Sequence, residues 1–231
     1  MVTANKTKYG KNNTILFFGG VMKILKIDKA VGVADDVLLL SQRMRGLSKV
    51  ASSQPLHQAL KDLAVSLNAH IKWALCGGLA VGVHAKPRGT QDVDIVIEND
   101  GAIEEVVKLS QSIFKHNRFH ALTHKQLGVE VDLVTPEFVK IAPSIVSTAI
   151  DTAVIRSLGG VQVPTVTQEG LIALKLGRGS TQDIADVESV VRVQGNIDLS
   201  QYNLGEKEKK LFEEIKNRIS GEISEKEKEL I

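Results

Sequence analysis

The sequence predicts an α/β protein, a core of alternating helices and strands followed by a helical C-terminal part. Three observations carry this expectation. Residues 92–98 ("DVDIVIE") and 127–135 ("LGVEVDLVT") alternate apolar and acidic residues with the period of two that a strand requires. Stretches with helical spacing of apolar residues lie before and between them. Beyond Pro136 the pattern turns mainly helical and stays so to the end of the chain.

In chain order, residues 1–13 are polar and expected to be mobile. Lys6, Lys8 and Lys11 precede "TILFFGGVM" in the order of a signal peptide, but Lys23 and Lys26 follow at once and no small-residue cleavage site stands out. That run is read instead as a short strand or hairpin over 14–26, with Gly19-Gly20 at its turn and Met22 a candidate true start. Residues 34–50 have helical spacing at Val37, Leu38, Leu40 and Met44, interrupted by Gly46. Residues 55–69 make a better helix: Leu56, Leu60, Leu63, Ala64 and Leu67 form one stripe, and Pro55 suits the first turn.

Trp73-Ala74-Leu75 reads as a short strand ending at Gly77-Gly78, and residues 79–84 as the start of a helix that Lys86-Pro87-Arg88-Gly89 breaks. Residues 102–114 form an amphipathic helix between the two acidic strands. Residues 166–177, with Thr167 as N-cap, and 181–193 open the helical part. A densely charged helix from about residue 205 closes it, with Leu211, Phe212, Ile215 and Ile219 as its apolar stripe. The expected organisation is an N-terminal extension over 1–50, a core over 51–160 and a helical C-terminal part over 161–231.

With 231 residues, 43% of them hydrophobic, the chain has enough apolar material for a real core. A formal net charge of only +2 excludes a global basic field directed at nucleic acid. No apolar run approaches the roughly 18 residues of a membrane helix, so no membrane partner is expected. Cys76 is the single cysteine, which excludes an intrachain disulfide framework and fits a reducing cytoplasm. Lying in an apolar strand, it is read as core packing. His116, His120 and His124 are spaced four apart, but Gly128 and the strand after it argue against a continuous helix there, and a zinc site is not expected.

The chemistry lies in the aspartates that interrupt the strand patterns. Residues two apart on a strand share a face, so Asp92 and Asp94 point one way while Val93 and Ile95 point the other. Residues 129–133 repeat the device, with Glu130 and Asp132 opposite Val129, Val131 and Leu133. Such a face is either simply solvated or a ligand site. If the two strands pair, Asp132 or Glu130 comes beside Asp92 and Asp94, and clustered carboxylates repel unless a cation neutralises them. Hard oxygen ligands suit Mg²⁺, which completes its octahedron with water and phosphate oxygens. Glu130 is read as a solvent-facing neighbour. Gly77-Gly78 at a strand-to-helix junction supplies the complementary half, because glycine admits close backbone approach and helix N-terminal N–H groups favour an anion. A metal-bound triphosphate would be held between the two.

Gly77-Gly78, a spacer through Gln91, and then Asp92-Val93-Asp94-Ile95 resemble the signature of the DNA polymerase β-like nucleotidyltransferase superfamily. Asp132 in "VEVDLV" falls where that family has its third carboxylate. The string Arg88, Thr90, Asp92, Asp94 looks most like the abortive-infection (AbiEii-like) and minimal nucleotidyltransferase branch. Downstream, Lys175, Arg178, Asp183 and Asp186 match a helical motif of that branch, with Gln182 standing where a lysine is more usual. The resemblance covers roughly residues 70–195.

What it implies is a mixed sheet flanked by helices and a metal-dependent reaction. An acceptor hydroxyl attacks the α-phosphate of a nucleoside triphosphate such as ATP, and pyrophosphate leaves. Asp92 and Asp94 would bind two Mg²⁺ ions, with Mn²⁺ able to substitute, and Asp132 would bind one of them and help deprotonate the hydroxyl. Gly77, Gly78, Arg88 and Thr90 would bind the nucleotide, with Lys175 or Arg178 offsetting phosphate charge. For those two basic residues the plainer alternative is a solvated helix end, and Asp183 and Asp186 alternatively cap or salt-bridge the helical part. The acceptor would be a protein, a tRNA end or a small molecule, and the branch favours a toxin–antitoxin or phage-defence setting with a cognate partner protein. The other reading is a catalytically silent module that binds a nucleotide or a partner. Polymerase-like extension is disfavoured by the near-neutral charge and few aromatics.

Overall fold

The computed structural model describes residues 13–18, 21–26, 54–68, 70–158 and 160–229, with side chains over 55–68, 70–158 and 160–222. By its internal contacts the chain divides into two units, Met1–Gln42 and Arg43–Ile231. In the first, β1 (Asn13–Phe18) and β2 (Val21–Lys26) form an antiparallel pair, Asn13 opposite Lys26 and Phe18 opposite Val21. This is the hairpin expected over 14–26. Gly19-Gly20, residues 1–12 and the helix expected over 34–50 lie outside the described residues.

The second unit is built on a seven-stranded mixed sheet. Its elements in chain order are α1 (Gln54–Leu67), β3 (Trp73–Leu75), α2 (Gly77–His84), β4 (Asp92–Ile97), α3 (Ile103–Ser110), β5 (Phe114–Arg118), β6 (Ala121–His124) and β7 (Glu130–Val134). Then come α4 (Pro136–Val139), α5 (Pro143–Asp151), β8 (Val154–Leu158), β9 (Val161–Thr165), α6 (Gln168–Arg178), α7 (Thr181–Gln194) and α8 (Glu206–Glu229). The strand order is β5-β6-β7-β4-β3-β9-β8. β4 runs parallel to β7 and β3 parallel to β9, while the other neighbours are antiparallel. No helix among the described residues is long and apolar enough to cross a membrane.

Strand alternation sorts the core into two layers. Trp73, Leu75, Val93, Ile95, Ile97, Val131 and Leu133 face α1 and α3 and pack with Leu60, Leu63, Leu67, Ile103 and Val106. Ala74, Cys76, Val96 and Val134 face the other way, into a layer formed by α2 and α5 through α8. Asp92 and Asp94 lie on the same face as buried Val96, and Asp132 on the same face as buried Val134. The aspartate face is therefore not a solvated sheet face. It is the margin of a covered one.

The expected elements hold in kind, with small shifts. The glycine pair itself opens α2 rather than preceding it, and α3 stops at Ser110, because Phe114 starts a strand. Thr167 caps α6 by accepting from the Gly170 amide, 3.1 Å away. The expectation of a mainly helical chain beyond Pro136 is corrected by the hairpin β8–β9, whose inner strand pairs with β3 at Leu75 and Thr165. Only Leu158 is buried in β8, and in β9 the alternation Val161-Gln162-Val163 is cut short by Pro164, so neither run is a clear strand signal.

Candidate active site

Parallel pairing of β4 and β7 sets Asp94 directly beside Asp132, and Asp92 beside Glu130. One carboxylate oxygen from each of Asp92, Asp94 and Asp132 lies within 4.8 Å of the others. Glu130, on the same face, turns instead to the guanidinium of Arg118, which also reaches Asp132 at 3.5 Å. The cluster is electrostatically under-compensated. Burial, then the charges of Asp92 and Asp132, push the Asp94 carboxyl from an ordinary 3.8 up to about 6, against the pull of the Gly78 amide and Lys175. Asp132 is also raised, by burial first and then by Glu130, with Arg118 opposing. Three hard oxygen donors within 4.8 Å of one another, short of nearby positive charge, fit a divalent cation such as Mg²⁺.

The glycine pair borders this cluster. β3 and β4 are antiparallel, with Leu75 opposite Ile95, so the chain leaves β3 alongside Asp94. The Cys76 amide donates to the Asp94 carbonyl at 2.9 Å, and the Gly78 amide donates to Asp94 Oδ2 at 3.3 Å. Gly77 has φ +60°, and a Cβ there would fall 1.8 Å from Asp94 Oδ2. At Gly78 a Cβ would meet Thr90 Oγ1 at 2.7 Å. Only glycine lets the first turn of α2 come this close to the acidic strand. Thr90 in turn donates to Asp92 Oδ1 at 2.6 Å, fixing that carboxylate.

A cationic wall closes the other side. Gly179 (φ +64°) ends α6, and Ser180 starts α7 with a reciprocal capping box to Asp183. Buried Lys175 reaches Asp183 at 3.1 Å and Asp186 at 2.6 Å, and Arg178 reaches Asp183 at 3.3 Å. Arg88, from the loop between α2 and β4, grips Asp186 with two bonds of 2.8 and 3.0 Å. Burial would raise Asp186, but Arg88 and Lys175 outweigh it and hold that carboxyl below its ordinary value. Three cations here face two carboxylates, so the wall keeps a positive charge over, opposite the acidic cluster.

Between the two lies a pocket of about 500 Å³ that all nine sequence-selected residues line: Gly77, Gly78, Arg88, Thr90, Asp92, Asp94, Asp132, Lys175 and Arg178. Sequence reasoning missed Phe138, Val139 and Ser180 in the lining, noted Gln182 only as a departure from the motif, and left Asp183 and Asp186 as alternatives, where they prove to be the counter-ions. Ser180 was detectable as the cap three residues before Asp183, whereas Phe138 carries no local signal. Cys76 is buried as expected. The three histidines do not converge: His120 bonds Asp100 at 2.8 Å, His124 bonds Asp62 at 3.0 Å, and His116 approaches the Phe119 carbonyl at 3.4 Å.

No protein-family model and no curated protein matches the chain. Among solved structures it is similar to an antigenic nucleotidyltransferase-like protein from Paracoccidioides brasiliensis, with TM-score 0.52 and 19% identity over 72% of this chain and 89% of that one. It also matches ANT(2")-Ia in complex with adenylyl-2"-tobramycin, with TM-score 0.42 and 14% identity over 72% and 99% of the two chains. The first likeness is one of fold, and with the mixed sheet described above it gives this chain a nucleotidyltransferase-like fold.

Proposed function

We propose that the protein is a Mg²⁺-dependent nucleotidyltransferase that moves an NMP from a nucleoside triphosphate, ATP among them, to an acceptor hydroxyl. The observation that carries this reading is the convergence of Asp92, Asp94 and Asp132 beside the glycine-led start of α2. Asp92 and Asp94 would hold two divalent ions, with Mn²⁺ an adequate substitute, and Asp132 would hold one of them. Bound there, the ions would supply Lewis-acid charge neutralisation for the phosphates.

The chain's own residues do the rest. The acceptor oxygen forms a bond to the α-phosphorus, the bond to the bridging oxygen breaks, and pyrophosphate carries off the electron pair. Asp132, set directly beside Asp94 by the pairing of β4 with β7, accepts the proton from the hydroxyl. Gly77 and Gly78 let the triphosphate approach the backbone without side-chain hindrance. Arg178, the most exposed cation of the wall, meets the phosphates, Lys175 and Arg88 add charge from behind it, and Thr90 keeps Asp92 aimed.

The resemblance to the AbiEii-like branch favours a cytoplasmic toxin–antitoxin or phage-defence setting with a cognate partner protein. The acceptor hydroxyl then belongs to a protein, a tRNA end or a small molecule. In the same reading residues 1–50 are an extension, 51–160 the nucleotidyltransferase core and 161–231 a helical part that contributes Lys175 and Arg178 to the cationic wall. The test incubates the protein with Mg²⁺ and each α-labelled triphosphate, and offers total tRNA, cell lysate and aminoglycosides as acceptors. Label transfer that disappears in Asp92→Ala/Asp94→Ala is the expected result. Absence of both transfer and Mg²⁺-dependent triphosphate binding would sink the reading.

A further inference from the structure

The pocket is lopsided in its chemistry. Most of its lining side chains are charged or polar, and the apolar ones are Phe138 and Val139. Phe138 is 52% exposed, whereas Phe114 and Phe212 are buried in the core. Yet its ring is held. It stacks on His120, with centroids 4.2 Å apart and planes 15° from parallel. His120 is pinned to Asp100 at 2.8 Å, and Asp100 also accepts from Thr135 Oγ1 at 2.6 Å. Thr135 caps α4 through the Phe138 amide itself, 3.2 Å away. Phe119, also exposed, meets His120 edge-on, with centroids 4.9 Å apart and planes at 86°.

One face of the Phe138 ring is thus backed by a hydrogen-bonded support, and about half of the residue is left open at a pocket otherwise made for charge. A nucleoside triphosphate has complementary halves: an anionic chain for the metal site and cationic wall, and a flat apolar base that the wall cannot serve. We propose that Phe138, backed by His120, is the platform on which the nucleobase of the triphosphate stacks. The inference rests on the triphosphate reading above and names the residue that would hold the base. Because every base has a π-face, such a platform binds the base without reading its edges.

The experiment compares Mg²⁺-ATP with Mg²⁺-tripolyphosphate, which keeps the phosphates and lacks the base, by calorimetric titration without acceptor. Wild type, Phe138→Ala and Phe138→Trp are titrated. Loss of one stacked base is expected to weaken ATP binding by about 10- to 100-fold in Phe138→Ala, leaving tripolyphosphate within about twofold of wild type. Phe138→Trp should retain ATP binding, and its exposed indole, unlike buried Trp73, should be quenched by ATP and not by tripolyphosphate. Equal weakening of both ligands in Phe138→Ala, or unchanged ATP affinity, overturns the platform. If wild type binds neither ligand in a Mg²⁺-dependent way, the transferase reading itself falls and the platform with it.

Discussion

At Asp94 the folded chain keeps a carboxylate that burial and two neighbouring carboxylates drive toward its neutral form. Its folded pKa of about 6 lies above the ordinary 3.8, so between these values the folded chain holds a proton that the unfolded chain has released. The stability this confers is fully present below 3.8 and is lost as pH rises through about 6. Metal-free protein is therefore expected to lose thermal stability across that window, and a melting series from pH 4 to 8 checks it. Asp94→Asn should flatten the slope, and saturating Mg²⁺ should restore stability above pH 6 in wild type only. Gly77→Ala is a second residue-scale test. The left-handed backbone alone costs about 1–2 kcal/mol, and the new Cβ must also displace Asp94. Mg²⁺ affinity, followed by calorimetry, should fall further than stability does.

Between elements, a buried ion network joins α6, α7 and the loop before β4. Lys175, Asp183 and Asp186 are nearly inaccessible to solvent. Removing Asp186 as Asp186→Ala leaves Lys175 and Arg88 short of a carboxylate, at an expected cost of about 3–5 kcal/mol in chemical denaturation. An exposed pair such as Lys210 with Glu214 should cost under about 1 kcal/mol when broken.

This contrast also marks what the sequence could reveal. β4, β7, α1, α6 and α7 were legible because each has one face in the core and one polar face, or a capping residue at its start. β5 and β8 were not, because each buries a single side chain, Phe114 and Leu158, at the rim of the sheet. Asp92, Asp94, Asp132 and the glycine pair could be found from spacing and resemblance. The partnership of Arg88 with Asp186 could not, since it spans 98 residues and depends on where α7 packs.

Across the whole unit, one sheet separates two apolar layers, and the pocket opens where the second layer gives way to charge. The two rims of that sheet differ. β5 carries Lys115 and Arg118, whereas β8 exposes Val154 and Ile155, the latter at 61%. An apolar strand edge invites pairing with another chain. Ile155→Lys should reduce concentration-dependent scattering on warming while shifting unfolding by no more than about 0.5 kcal/mol.

The 98-residue span from Arg88 to Asp186 also bears on synthesis. Chains emerge N-terminus first, so the three aspartates can be translated, and β4 paired with β7, while α7 is still inside the ribosome. For that interval a nascent chain would carry the acidic trio without its basic counterpart, and Arg88 would have no mate. The pocket would be completed in one late step, when α6 and α7 dock, and a chain cut short before Lys175 would keep Asp92, Asp94 and Asp132 yet lack two of the three cations that face them.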